Sequence, residues 1–157
     1  MFGPILLLAA AQTLPAVRPD CRRDRAGDCL PVEVSPLATL LRSDRHQAAS
    51  IYRSYWNCYW AALSSNERFG TSNARHARQI FAAAFNECAA LRALADDDMD
   101  DFLRPRTVYG DEGRKRFIRD SFRRSAGESF FDQTALAEGK HDAYARTLNA
   151  YRKDQRD

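Results

Sequence analysis

The chain has 157 residues, 45% of them hydrophobic, and sets 24 Lys and Arg against 21 Asp and Glu for a formal net charge of +3. That length is one domain able to bury a core of real size, and so small a net charge argues against a polybasic nucleic-acid binder. Ala and Arg are abundant while Gly numbers seven; with few β-branched residues, this mix favours helix over strand. An all-α fold is expected.

Ile5-Leu6-Leu7-Leu8 followed by Ala9-Ala10-Ala11 resembles the apolar region and small-residue cleavage site of a secretory signal. The run is too short to span a bilayer. Residues 1–11 are therefore expected to be a signal peptide, although no Lys or Arg precedes the apolar run. Export to the periplasm or outside the cell follows, with no membrane span in the mature chain. From Gln12 to Val34 the chain carries Pro15, Pro19 and Pro31 between charged clusters, which predicts an extended lead segment. Residues 35–157 are expected to form a single helical domain.

Ser35-Pro36 has the form of an N-cap followed by Pro at the first helical position. Beyond it, Ile51, Tyr55, Cys58, Tyr59, Ala62 and Leu63 recur at helical spacing, and Ile80, Phe81, Ala84, Phe85, Cys88, Leu91 and Ala95 do the same. Between them, Gly70 suits a left-handed C′ position, and Thr71, Ser72 or Asn73 can cap the next helix. The stretch from Ile51 to Leu94 thus predicts an antiparallel helical hairpin. Facing positions in such a hairpin have numbers of nearly constant sum. Pairing Cys58 with Cys88 also pairs Ile51 with Ala95, Tyr55 with Leu91 and Ala62 with Ala84.

An even number of cysteines in an exported chain predicts two disulfides. Four cysteines allow three connectivities; Cys21–Cys29 with Cys58–Cys88 is expected, since the first pair is local and the second fits the helix register. The fold expected is thus a disulfide-linked hairpin covered by two or three further helices, behind a disulfide-looped lead segment.

After the hairpin, Pro105 should end a helix, and a break is expected between Arg104 and Gly110. Asp96 to Asp101 invites a calcium loop, but Asp101 stands where the turn glycine belongs and Thr107 where the bidentate glutamate belongs. A solvated acidic segment attracting the basic stretch at Arg114 to Arg124 is expected instead. That stretch surrounds Phe117, Ile118 and Phe122 and predicts a helix ending near Gly127. From Ala137 onward a last helical stripe includes His141, Tyr144, Leu148 and Tyr151, with Gly139 as an interruption.

No spacing of His46, His76 and His141 fixes a metal, and neither a G-x-S-x-G nor a phosphate loop is present. His141 is expected as a hydrogen-bonded core residue, and no cofactor is expected. The dense aromatic cluster Tyr52, Tyr55, Trp56, Tyr59 and Trp60 cannot all enter one core from a single helix; either the later helices cover these rings, which is the expectation favoured, or Tyr52, Trp56 and Trp60 are candidate partner-binding rings at the edge. The leading expectation is a small exported, non-enzymatic helical protein that binds another protein or an envelope component; nucleic acid is not expected as a partner. The second is an anion-binding module using Arg114, Lys115, Arg116, Arg119, Arg123 and Arg124. A third is an enzyme whose site assembles from distant residues. An exposed aromatic patch, a one-sided Arg surface, or a pocket holding His with a carboxylate would separate the three.

Overall fold

The computed structural model describes the backbone at 21–23 and 29–31 and the residues from 40 to 154. The chain divides into two units, 1–33 and 34–157, each taken by itself. In the first, strands β1 (Cys21–Arg23) and β2 (Cys29–Pro31) pair antiparallel, with Cys21 opposite Pro31 and Arg23 opposite Cys29. At those six residues the extended lead segment is a two-stranded ladder. The signal peptide, the Cys21–Cys29 bridge and the Ser35-Pro36 helix start lie outside the described residues.

The second unit is all-helical: α1 (Arg42–Ser64), α2 (Ala74–Glu87), α3 (Ala89–Leu103), α4 (Glu112–Ala137) and α5 (His141–Asp154), with a 3-10 turn at Thr107–Tyr109. Helix α1 buries Ala48, Tyr52, Tyr55, Trp56, Tyr59, Trp60 and Leu63. A stripe that wide needs more than one neighbour, and α1 packs against α2, α3 and α4. The helix starts nine residues ahead of Ile51, with no side-chain cap. Asp44 in its first turn accepts from the Tyr109 hydroxyl, which itself accepts from the Leu41 N–H, so the start of α1 is tied to the α3–α4 connection.

The expected bridge joins α1 to the second arm: Cys58 and Cys88 are disulfide-bonded with their Cα atoms 6.0 Å apart. That arm is two helices rather than one, meeting at Cys88, whose backbone leaves helical geometry at φ −98°, ψ 16°. The break shifts the phase of the stripe. Leu91, expected opposite Tyr55, is 37% exposed and Phe85 is 43% exposed, while α3 buries Ala95, Met99, Phe102 and Leu103. Asn73 caps α2 by accepting from the His76 N–H at 3.1 Å. Gly70 lies in the loop rather than at the C′ of α1. Its φ is +93°, its N–H donates to the buried Thr147 hydroxyl at 2.8 Å, and a Cβ there would stand 3.2 Å from that of Ala143. The loop is thereby fastened to α5.

Helix α3 ends at Leu103, ahead of Pro105 as expected. The acidic segment does attract the basic stretch: Asp100 takes Arg119 at 2.6 Å, and Asp96 pairs with Arg123. Helix α4, however, runs through Gly127, where a stop was expected. It ends at Ala137 with Glu138 as C-cap, and Gly139 follows at C′, where its φ of +68° supports bonds from the Lys140 N–H to the Ala135 carbonyl and from the Gly139 N–H to that of Leu136, the Schellman arrangement.

Gly127 has a packing role instead, because a Cβ there would meet Trp56 Nε1 at 2.9 Å. Displacing the indole would disturb its own contacts. Its N–H donates to the Arg123 carbonyl at 3.3 Å, and its ring lies against those of Tyr52, Phe122 and Phe130. Ala at a helix interior gains about 1 kcal/mol over Gly, whereas overpacking a tight core costs about 1–3 kcal/mol. Gly127→Ala is therefore expected to lower stability by about 1 kcal/mol, read from urea unfolding midpoints; a raised midpoint would show that Trp56 can move.

Candidate functional site

Four of the helices converge on a cavity of about 250 Å³, and eight of its twelve lining residues are aromatic. Helix α1 supplies Tyr55, Trp56 and Tyr59; α2 supplies Phe81 and Phe85; α4 supplies Arg123, Arg124, Glu128 and Phe131; α5 supplies Tyr144, Leu148 and Tyr151. Helical spacing explains the grouping. Positions 55, 56 and 59 share one side of α1, and 144, 148 and 151 share one side of α5.

The rings brace one another. Tyr59 stacks on Phe131 at 5.2 Å between centroids and meets Tyr55 edge-on at 5.9 Å, and Phe81 lies 4.6 Å from Tyr151. The Tyr59 hydroxyl donates to the Phe81 carbonyl at 3.3 Å. Burial pushes the acidity constants of Tyr55 and Tyr59 upward, and burial together with the nearby Glu128 pushes Tyr144 up to about 12. All three hydroxyls stay protonated at neutral pH and remain hydrogen-bond donors. Among the described residues, no protein group hydrogen-bonds the hydroxyls of Tyr55 and Tyr144.

The charges at the cavity are unequal in their commitments. Arg123 pairs with Asp96 and, at 3.4 Å, with Asp120; Glu128 pairs with Arg152 at 3.1 Å. Arg124 is exposed and has no acidic partner among the described residues.

The three rings that sequence offered as partner-binding candidates are core residues, covered by the later helices: Tyr52 is 0%, Trp56 3% and Trp60 5% exposed. Helices α3, α4 and α5 cover them. The Tyr52 hydroxyl donates to Asp96 at 2.9 Å, and Trp60 Nε1 donates to Glu138 at 3.0 Å. Of the three, Trp56 alone lines the cavity.

The six basic residues do not form one face. Lys115 is buried, its Nζ donating to the Arg104 carbonyl at 2.9 Å and pairing with Glu112 at 3.2 Å. Arg119 and Arg123 are held by Asp96, Asp100 and Asp120. Arg114, Arg116 and Arg124 are exposed. His141 is likewise not in the core. It opens α5 at the surface, Nε2 lying 3.2 Å from the exposed Asp132, and neither residue lines the cavity. Among the described residues, no group of three or more His, Cys, Asp and Glu is placed to hold a metal ion.

The cavity rings that sequence reasoning passed over are Tyr55, Tyr59, Phe81, Phe85, Phe131, Tyr144 and Tyr151. All but Phe131 lay on a helical stripe, the usual signature of a core residue. The signal available was their ring content: four tyrosines among inward positions bring four hydroxyls that a dry core would have to satisfy. Comparison with known protein families, with curated proteins and with solved structures finds no match.

Proposed function

We propose that the protein is a non-catalytic binding module that takes a ring-bearing small molecule into the cavity between α1, α2, α4 and α5. The observation carrying this reading is the eight-ring lining of a concave, mostly apolar site, the composition typical of small-molecule pockets. Of those eight residues, Phe85 is the one exposed large apolar side chain among the described residues. The mouth therefore offers a slot more than the broad face a protein partner needs. An anion-binding face is the weaker reading, because Lys115, Arg119 and Arg123 are engaged within the chain.

Export belongs to the same proposal. Its supports are the Cys58–Cys88 bridge, at home in an oxidising compartment, and the apolar start of the sequence. No helix among the described residues is long and apolar enough to cross a membrane. The intact mass of the host-made protein decides the matter: a chain starting near Gln12 is expected, and a full-length cytoplasmic product would end the export reading.

Calorimetric titration with naphthylmethanol, a neutral two-ring probe, tests the cavity. Saturable one-to-one binding is expected, and Leu148→Trp, which fills the space from α5, should weaken it at least about tenfold, the effect of losing roughly 1.4 kcal/mol of contact. Its melting midpoint should not fall, since Leu148 is part-buried beside unoccupied volume. Absence of saturable binding, or equal binding by Leu148→Trp, would refute the site.

A further inference from the structure

We infer that the ligand of this cavity is an aromatic anion, a one- or two-ring group bearing a carboxylate, with Arg124 as its counter-ion. The inference rests on the cavity being a binding site and names what that site selects.

A box of aromatic rings by itself also suits a cation, whose charge is attracted to ring faces. The fixed charges decide between the two. Two guanidinium groups and one carboxylate belong to the lining. Asp96 and Asp120 neutralise Arg123, and Arg152 neutralises Glu128 at 3.1 Å. What remains is Arg124, with no acidic partner among the described residues. An entering ammonium group would meet that charge with the nearby carboxylate already engaged. An entering carboxylate would meet a guanidinium whose forked donors match its two oxygens.

The hydroxyls point the same way. Tyr55 and Tyr144 line the cavity on α1 and α5, and neither has a hydrogen-bond partner within the described protein. Burial keeps both protonated, so each offers a donor. A carboxylate has about four acceptor sites and no donor. The ring component follows from Tyr59, Phe81 and Phe131: Tyr59 stacks on Phe131 and lies tilted against Phe81, which holds these lining rings in place for a planar group to pack against.

The test is a calorimetric comparison, on the full chain, of three compounds sharing one ring system: naphthylacetate, naphthylacetamide and naphthylethylamine. The acid should bind about tenfold more tightly than the amide, the scale of a charge-assisted hydrogen bond, and the amine should bind weakest. In Arg124→Gln the acid-to-amide ratio should fall to near one. Arg116→Gln, an exposed change outside the lining, should leave the ratio as it is and serves as the charge control. Equal binding of acid and amide, tightest binding of the amine, or an unchanged ratio in Arg124→Gln would each overturn the inference while leaving the cavity a binding site. Failure of all three compounds to bind would overturn the cavity reading and this inference with it.

Discussion

Replacing both Cys58 and Cys88 with Ala is expected to lower the unfolding free energy by about 3–4 kcal/mol, the chain-entropy value for a loop of this length. The bridge spans 30 residues of sequence. Cys88 is buried, so the loss of its sulfur also leaves a gap in the core between α1 and the α2–α3 junction. Helix content should survive, because Ile80, Phe81 and Ala84 on one side of the junction and Ala95 and Met99 on the other remain buried against their neighbours. Urea unfolding followed by circular dichroism checks both halves of the statement. A midpoint equal to that of the oxidised parent would mean that the bridge constrains little in the unfolded chain. Peptide mapping without reduction should recover Cys58 joined to Cys88.

The second large effect is expected at Tyr52, which has no exposed surface and whose ring lies 5.6 Å from Trp56 and 6.3 Å from Phe122. Tyr52→Ala removes a whole ring from that group and should cost about 3–5 kcal/mol, as other aromatic truncations do. Tyr52→Phe keeps the ring and removes the hydrogen bond to Asp96. Its cost should be about 1–2 kcal/mol, because Arg123 still satisfies the carboxylate. Equilibrium unfolding of the two variants separates packing from hydrogen bonding at one position. Equal losses would place most of the stabilisation in the hydroxyl, contrary to the burial of the ring.

Much of the fold is legible in periodicity. The stripe of α1, the Cys58–Cys88 pairing, the Asn73 cap and the helix end before Pro105 follow from spacing and from residue chemistry that acts within a turn or two. The misjudged places depend on residues distant in sequence. Gly127 looks like a helix stop until Trp56, on another helix, is placed against it. The second arm looks like one helix until the backbone at Cys88 is seen to leave helical geometry between α2 and α3. The candidate site divides in the same way. Ring-rich stripes are visible in the sequence, but whether their rings fill the space between helices depends on how four helices meet. Burial of Tyr52 and Trp60 likewise follows from neighbours far along the chain, such as Phe122 and Tyr144. Charge complementarity between Asp96–Asp100 and Arg119–Arg123 is legible because opposite blocks of charge attract whatever the detailed path between them.

The placement of the bridge also bears on the order in which the chain can mature. Both bridging cysteines are synthesised by residue 88, together with Phe69 and Phe81, yet four more rings that pack on α1 arrive later: Phe122, Phe130 and Phe131 on α4, then Tyr144 on α5. A nascent chain halted after α3 could already close the bridge while Trp56 lacked Phe122 and Phe130 and Trp60 lacked Phe131 and Tyr144. Such a half-made molecule is sticky, and it also carries Cys21 and Cys29, both made earlier, as competing thiols. Oxidation and burial are thus separated by dozens of residues of synthesis. During that interval the growing chain depends on whatever shields apolar surface and reshuffles wrong bridges.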